Sequence, residues 1–397
     1  MHVLVLPSWF PTACRPHNGA YFYRHLQALQ QAGHRVGVVY PEHQSLRDAS
    51  PSALMRHWFQ TRWCLEHGLP VVRRHGWNAL SALPGSVALR IRAAVRLGRQ
   101  YAATYGRPDV VHALSAQWAA GAAARLATHW NRPMALTEHF SGFLRGGLRS
   151  EQRRWARHAF ARANAIAAVS PPLRRALHDG GWHPASQTAV LPNPVDFAFF
   201  TPPASRPKPP PLVWASAGRL VPVKGFDVLL RAVARGVARG LPIRLHLAGD
   251  GPERTALQHL ARDLAIQDRV RFLGHVPPRG IRRLLQRAHG YVLASHHETF
   301  GLPVLEALAC GCPVLATRCG GPEYVVPPGS GLLVDAGSVA ALSKGLLQMS
   351  QRLQRPERPF VSPKARSGLH NRFGYDTFVA NTCALYRTAH RRFTPSR

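Results

Sequence analysis

Two glutamates, Glu298 and Glu306, are separated by seven residues in the stretch Glu-Thr-Phe-Gly-Leu-Pro-Val-Leu-Glu. The apolar run 290–295 before them predicts a short buried strand, and the run 302–309 predicts a helix with a proline in its first turn. Glu298 is therefore expected on a strand-to-helix loop, and Glu306 one to two turns into the helix. Next to Gly301, the unpaired N–H groups at the helix start form an anion site. Two carboxylates around an anion site suit a ligand with hydroxyl groups on both sides of a phosphate, as in a nucleotide sugar.

A basic loop upstream supplies positive charge for such a phosphate. The apolar stretch 212–217 predicts a strand, which Arg219 and Lys224 follow before a helical stretch that begins at Phe226. Ligands of open α/β sheets bind at the carboxyl ends of strands, where this loop is expected. Arginine offers a fork to phosphate oxygens and lysine a point charge. The glutamate pair alone, or the Arg219 and Lys224 loop alone, would also fit ordinary surface charges. The prediction of a nucleotide-sugar site therefore depends on both motifs together.

Further short motifs follow one another in a recognisable order. In the second half they are Gly218-Arg-Leu220 with Lys224-Gly225, Leu247-Ala-Gly-Asp-Gly-Pro252, Phe272-Leu-Gly-His275, the glutamate pair, and Gly311-Cys-Pro-Val-Leu-Ala-Thr317 with Gly320-Gly-Pro-Glu323. The first half carries Asn18-Gly19 before a predicted helix and Thr137-Glu-His139 after a predicted strand. Over nearly its whole length the chain resembles the retaining glycosyltransferases of family 4 (glycosyl transferases group 1), which have the GT-B fold.

The resemblance implies a role for each motif. The donor, a UDP-, GDP- or ADP-sugar, would be held mainly by the C-terminal half. Its diphosphate would be bound by Arg219, Lys224, Gly19 and the backbone N–H groups of Phe300, Gly301 and Leu302. Glu306 would bind the ribose, and the catalytic residues would be Glu298, holding the sugar hydroxyls, and His139. The imidazole of His139 either transfers a proton or orients a hydroxyl. Glu138 receives no role beyond pairing with an arginine.

The same resemblance implies the reaction. A sugar would pass from the nucleotide diphosphate to a saccharide or lipid-linked acceptor with retention, in the synthesis of a cell-surface polysaccharide or glycolipid. Fixed cations and backbone donors would stabilise the leaving diphosphate, so no metal and no cofactor are expected. Two other readings stay open: another GT-B enzyme such as a nucleotide-sugar epimerase or a phosphorylase, and a non-enzymatic basic protein that binds nucleic acid or membranes.

Apolar strands alternate with helical stretches on both sides of a proline-rich run, which predicts parallel sheets covered by helices. We therefore expect the α/β GT-B architecture, two Rossmann-like domains with parallel sheets facing a central cleft. Residues 1–200 would form the acceptor-side domain, 201–211 a linker, and 212–372 the donor domain. A last helix at about 375–392 would pack back on the first domain. Residues 41–90 are irregular in pattern and predict no element.

The net charge of +32 is the most prominent feature of the composition. It is spread evenly, with +15 in residues 1–200 and +17 in 201–397, and no nucleic-acid-binding motif is evident, so no nucleic-acid partner is expected. Two helical arginine series are either solvated faces or docking sites for anionic lipid headgroups. They are Arg92, Arg96 and Arg99, and Arg149, Arg153, Arg154 and Arg157, with Trp155 and Phe160 nearby.

The expected location is the cytoplasm, with peripheral attachment to the inner membrane face. The first residues read as a strand rather than a signal peptide, and no apolar run is long enough to span a bilayer. The six cysteines follow no disulfide framework, and the clustered Cys310, Cys312 and Cys319 lack the usual zinc spacing. They are expected to be reduced, buried thiols.

Overall fold

The computed structural model describes residues 1–13, 15, 18–45, 50, 55, 59–78, 85–207, 209–354 and 361–395. The chain divides into two compact units, Met1–Pro192 with Tyr375–Arg397, and Asn193–Gly374. Each unit has its own sheet covered by helices, all parallel in the second unit and parallel except for one hairpin in the first. The two strands predicted at 212–217 and 290–295 are present, as Leu212–Ala217 and Gly290–Leu293.

The first unit is built on a sheet of eight strands in the order β3-β4-β2-β1-β5-β6-β7-β8. The strands are β1 His2–Pro7, β2 Arg35–Ser45, β3 Thr61–Glu66, β4 Leu69–Asn78, β5 Val110–Leu114, β6 Met134–Glu138, β7 Ala165–Ala168 and β8 Thr188–Val190. Its helices are α1 Tyr21–Gln31, α2 Ser86–Tyr105, α3 Trp118–Trp130, α4 Gly142–Arg145, α5 Ser150–Arg162 and α6 Pro171–Asp179. The central strands are buried and mostly apolar, as expected for a sheet covered on both faces.

The second unit has a six-stranded sheet, all parallel, in the order β11-β10-β9-β12-β13-β14. Its strands are β9 Leu212–Ala217, β10 Ile243–Ala248, β11 Val270–Gly274, β12 Gly290–Leu293, β13 Val314–Arg318 and β14 Gly331–Asp335. Its helices are α7 Phe226–Ala238, α8 Arg254–Asp263, α9 Pro278–Arg287, α10 Leu302–Ala309, α11 Gly321–Val325, α12 Val339–Leu353 and α13 Pro363–Phe373. The last helix, α14 Tyr375–Arg391, belongs to the first unit and packs on α1, β6 and β7.

The region 41–90, predicted to be irregular, contains a β-hairpin. Strands β3 and β4 pair antiparallel through the two-residue turn His67–Gly68, whose φ angles are 51° and 80°. Positive φ at both turn residues matches the right-handed twist of the paired strands. Only the short apolar run of Leu69, Val71 and Val72 could have indicated β4. Residues 46–49, 51–54, 56–58 and 79–84 of this region lie outside the described residues.

The proline-rich run 201–211 is not a free linker, because the division between the units falls at Pro192 and the run belongs to the second unit. Arg206 anchors it: the guanidinium donates to the carbonyl oxygens of Leu285, Ala288 and, at 2.7 Å, Cys310. These carbonyls lie at the carboxyl ends of α9 and α10, where a cation stabilises carbonyl oxygens that have no hydrogen-bond partner within the helix. Lys208 lies outside the described residues.

No helix in the described part of the chain combines the length and the apolar character needed to cross a bilayer.

Candidate active site

The predicted loops of the second unit meet where the strand order of its sheet reverses. Strands β9 and β12 are neighbours in the sheet, although β10 and β11 separate them in sequence. The loop after β9 carries Arg219 and Lys224, and the loop after β12 carries Glu298. The two loops are joined, since the His296 N–H donates to the Val223 carbonyl at 2.9 Å. Such a switch point is the usual ligand site of an open α/β sheet.

Lys224 and Glu298 form an ion pair, with 2.5 Å between Nζ and Oε2. The backbone of Glu298 is fixed in turn: its N–H donates to the Cys319 carbonyl at 2.9 Å, and its carbonyl accepts from Gly321 at 2.7 Å. Both side chains of the pair keep contact with solvent, at 24% and 15% exposure. A cation and a carboxylate are thus held side by side, each open to a ligand.

Helix α10 begins beside this pair. Gly301 precedes it with φ of 92°, and the proline predicted in the first turn is present. Among the described residues, no acceptor receives a hydrogen bond from the backbone N–H groups of Phe300, Gly301 or Leu302. These are the orphan donors that make a helix start an anion site.

Glu306 lies on α10, half-buried, one turn beyond Leu302. Its position relative to Glu298 is visible through the buried hydroxyl of Tyr291 at the centre of the sheet. Burial raises the pKa of Tyr291, and the negative charges of Glu306 and Glu298 add to that rise. Glu298 and Glu306 thus lie on the loop and the helix that follow β12, the strand that carries Tyr291.

Arg219 is exposed at the start of the β9 loop and has no side-chain hydrogen bond within the described ranges. The motif Gly249-Asp-Gly251 holds this loop, with the Leu220 N–H donating to the Asp250 carbonyl at 3.0 Å. Gly249 has φ of 141°, and a Cβ there would lie 1.8 Å from the Gly218 carbonyl oxygen. Glycine is required at position 249 for this close approach. The Gly249-Asp-Gly251 motif, which the sequence marked only by resemblance, therefore has a structural role in holding the β9 loop.

In the first unit the strand order reverses between β1 and β5. Gly19 lies in the loop after β1 with φ of 76°, and a Cβ there would meet Trp9 Cδ1 at 2.8 Å. The preceding Pro16 and His17 lie outside the described residues. Because of the positive φ and the clash that a Cβ would make with Trp9, the backbone turn before helix α1 requires glycine at position 19.

His139 follows β6 in the same unit and is 8% exposed. Its Nδ1 and Nε2 atoms are both buried and have no hydrogen-bond partner among the described residues. Its ring meets the Phe22 ring edge-on, with 5.1 Å between centroids. Burial, with the nearby His25 and His112, lowers the pKa of His139 well below its usual range. A lowered pKa leaves the imidazole neutral at pH 7 and makes it a weak base, which favours orienting a hydroxyl over accepting its proton.

Glu138, for which pairing with an arginine was the only predicted role, is fully buried and pairs with no arginine of the described chain. Its carboxylate accepts hydrogen bonds from Ser115 Oγ at 2.6 Å and from three backbone N–H groups, those of Ala116, His139 and Phe140, at 2.7–2.8 Å. Burial raises the pKa of Glu138, and the four donors act in the opposite direction. Glu138 joins the loops after β5 and β6 and so fixes the backbone of His139. The only sign of this role in the sequence is an acidic residue directly before a histidine at the end of a strand.

The clustered cysteines are free and buried. Burial raises the pKa of the Cys310, Cys312 and Cys319 thiols to about 12, 11 and 12. In the described part of the chain, no group of three or more His, Cys, Asp or Glu side chains comes together that could hold a metal ion. The thiols are packing residues of the second unit.

Two family models match the chain, one after the other. Residues 19–199 match the model "Glycosyltransferase Family 4", and residues 200–359 match "Glycosyl transferases group 1". The chain belongs to the group 1 glycosyltransferases. Membership of this family excludes the hypothesis of a non-enzymatic basic protein. It also argues against the epimerase and phosphorylase hypotheses.

Relatives of this glycosyltransferase have several different names. It is 35% identical over 200 residues to the lipopolysaccharide core biosynthesis glycosyltransferase LpsE of Rhizobium meliloti, a match covering 48% of this chain and 55% of LpsE. It is 29% identical over 312 residues to a glycogen synthase of Mycobacterium tuberculosis, covering 76% and 74%. The match thus spans about half the length of LpsE and three quarters of the glycogen synthase.

Solved structures show the same fold. Sucrose-phosphate synthase of Thermosynechococcus elongatus superposes with a TM-score of 0.72 at 19% identity, covering 98% of this chain and 100% of that one. HepE of Anabaena, solved in complex with UDP, gives 0.71 at 21% identity with the same coverage. At these identities the likeness establishes the GT-B fold of the glycosyltransferase and nothing about its substrates.

Proposed function

We propose that the protein transfers a hexosyl group from a nucleotide diphosphate sugar to a saccharide or lipid-linked acceptor, with retention of the anomeric configuration. The observation that supports this most directly is the Lys224–Glu298 pair at the switch point of the second sheet, beside the unpaired N–H groups at the start of α10. A cation and backbone donors suit a diphosphate, and a neighbouring carboxylate suits sugar hydroxyls.

In this proposal the second unit holds the donor. Lys224, Arg219 and the backbone N–H groups of Phe300–Leu302 bind the diphosphate and stabilise the charge that grows on it as it leaves. Glu306 accepts from the ribose hydroxyls, and Glu298 accepts from hydroxyls of the transferred sugar. The ion pair orients Lys224 and Glu298 before the donor arrives, so little reorganisation is left for the transition state.

The first unit contributes Gly19 and His139. Gly19 lets the backbone approach the phosphate, and the neutral imidazole of His139 orients a sugar or acceptor hydroxyl. In the transfer step the bond from the anomeric carbon to the diphosphate oxygen breaks and the bond to the acceptor oxygen forms. The acceptor proton passes to the departing phosphate, which needs no protein base and no metal. Retention follows if both events occur on one face of the sugar.

The relatives favour a cell-surface product. LpsE is named for lipopolysaccharide core synthesis, and HepE was solved with UDP and with UDP-glucose. We propose a UDP-hexose as the donor and a growing cell-surface saccharide or glycolipid as the acceptor, with ADP- and GDP-sugars as the alternatives to be tested.

A thermal-shift experiment tests the donor assignment. The melting temperature is measured with UDP, GDP, ADP and their sugars, with and without EDTA. One nucleotide at a hundredfold excess over its Kd should raise the melting temperature by roughly 5 °C or more, whether or not EDTA is present. Glu306→Ala should weaken that binding about tenfold or more, because a charged acceptor is lost, whereas Asp263→Ala, an exposed acid on α8, should not. No shift with any nucleotide would remove the donor assignment.

A second part of the proposal concerns how the enzyme attaches to a membrane surface. Helix α3 packs on the first sheet and lies between α2 and α5, which both contact it. The two arginine series are exposed on α2 and α5, and the only acid on the three helices is Glu151. Phe160 is buried and cannot insert into lipid, so the contact would be electrostatic. We propose that this arginine face docks on anionic lipid headgroups and brings the enzyme to a lipid-linked acceptor.

Vesicle binding tests this docking. A triple change of Arg153, Arg154 and Arg157 to glutamine should weaken binding to phosphatidylglycerol vesicles about a hundredfold, at roughly 1 kcal/mol per arginine. The matched control changes Arg231, Arg235 and Arg239, which are exposed on and just after α7 of the second unit. Equal losses in both triple variants would show that net charge, rather than this face, attracts the protein.

A further inference from the structure

The first unit contains a pocket of about 260 Å³ at the carboxyl edge of its sheet. The loop after β1, the end of β2 and helix α2 contribute to its wall, and among the described residues the lining includes Arg15, Tyr40, Glu42, His43 and Arg90. Because the strand order of this sheet also reverses at β1, the pocket lies where α/β sheets bind ligands. None of these residues had a role in the sequence motifs.

Arg90 is the residue that requires an explanation. Its guanidinium lies 5.8 Å from the centre of the Trp118 ring, and no residue of the described ranges pairs with it or accepts a hydrogen bond from it. Burial lowers the pKa of Arg90, and the nearby charge of Arg15 adds to this. The side chain is partly exposed at the pocket, so its five donors are open to a ligand that supplies acceptor oxygens.

The acid in the pocket does not supply it, because Glu42 is engaged on its other side. Its Oε2 lies 3.6 Å from Arg73 Nη1 and 3.4 Å from His75 Nδ1, along the β2–β4 pair. His43 does not add a charge, since burial, Arg90 and Arg74 lower the pKa of its imidazole to about 4. The pocket therefore presents the Arg90 guanidinium and the polar tips of Tyr40 and His43, and Arg15 is a further cation of its lining.

We infer that this pocket binds an oxyanion carried by the acceptor, a phosphate or a carboxylate, through the fork of Arg90 with Arg15 beside it. The inference rests on the proposed transfer reaction, in which the first unit binds the acceptor. The bidentate geometry of arginine matches both oxyanions, and the volume accommodates one such group with part of its sugar. The acceptor is then an acidic or phosphorylated saccharide rather than a neutral glucan.

Calorimetric titration of the purified full chain, saturated with UDP so that the donor site is filled, tests this. Inorganic phosphate, glucose 6-phosphate, glucuronate and glucose are titrated into the wild type, Arg90→Met and Arg175→Met, the last an exposed arginine on α6. Phosphate-bearing probes should bind the wild type and the Arg175 variant equally, and Arg90→Met should lose at least tenfold in affinity. A preference for glucuronate would identify a carboxylate acceptor. Glucose should not bind measurably in this pocket.

Two further measurements make each outcome informative. In phosphate-free buffer, Arg90→Met should melt within a few degrees of the wild type, because the guanidinium is partly exposed and no described residue accepts a hydrogen bond from it. Arg90→Lys keeps the charge but lacks the two-pronged guanidinium, so its affinity for phosphate should fall several-fold. This variant also tests the inference if Arg90→Met does not fold. Equal phosphate binding by wild type and Arg90 variants, or no oxyanion binding by the wild type, overturns the inference. If UDP binds neither protein, the donor proposal fails, and the same titrations without UDP still report on the pocket.

Discussion

Lys224→Ala is expected to lower kcat by about two to three orders of magnitude, the usual cost of removing one fixed donor to a developing anion. Lys224 is the cation of the pair at the switch point, 2.5 Å from Glu298. The loss should appear in kcat more than in KM, because the leaving diphosphate carries more charge in the transition state than in the bound donor. Steady-state kinetics with the donor identified by thermal shift checks this.

The fold should survive the change. Both members of the pair touch solvent, so Glu298 can be hydrated when its partner is removed, and the melting temperature should fall by no more than a few degrees. Lys344→Ala, which removes an exposed lysine from α12 of the same unit, is the matched control and should leave kcat unchanged. Wild-type turnover by a folded Lys224→Ala protein would contradict the diphosphate assignment.

The pair also predicts how two changes combine. Glu298→Ala should reduce turnover by a similar factor, because Glu298 both holds the sugar hydroxyls and orients Lys224. The double variant should then lose much less than the product of the two single losses, since residues that act as a unit are not additive. Fully multiplicative losses would show that Lys224 and Glu298 act independently.

The part of the site that the sequence predicts well is local in the chain. Glu298, Gly301 and Glu306 belong to one strand-loop-helix segment, and hydrophobic periodicity with a helix-start proline places all three. Lys224 joins them because β9 and β12 end at the same edge of the sheet, which follows once two parallel strands are recognised. The GT-B resemblance supplied the chemistry and the fold, and the family models confirm the family.

What the sequence did not predict depends on contacts between distant residues. Arg206 turns a proline-rich run into part of the second unit by reaching carbonyls about 80 to 100 positions away. The lowered pKa of His139 depends on burial among Phe22, His25 and His112, which no pattern near residue 139 reveals. Arg90 looked like one arginine among many, and only the lack of a partner in the folded chain distinguishes it.

Glu138→Ala is expected to lower the free energy of unfolding of the first unit by about 3–5 kcal/mol, because four buried donors lose their common acceptor. Glu138→Gln keeps one acceptor oxygen and places an NH₂ group against a donor, so a cost of about 2 kcal/mol is expected. Urea unfolding followed by a probe in the first unit measures both. Glu151→Ala is the matched control, an acid that also accepts from two N–H groups, those of Gly85 and Ala88, but is only half-buried.

Turnover separates a positioning role of Glu138 from a merely structural one. If Glu138 acts by fixing the backbone of His139, then kcat should fall by about tenfold or more in Glu138→Ala at temperatures where the protein is folded, and Glu138→Gln should restore most of it. The UDP-induced rise in melting temperature should persist in both variants, because the side chains proposed to bind UDP lie in the second unit and Gly19 lies on a different loop, the one after β1. Wild-type kcat in a destabilised but folded Glu138→Ala protein would show that the loops after β5 and β6 keep their catalytic geometry without this carboxylate.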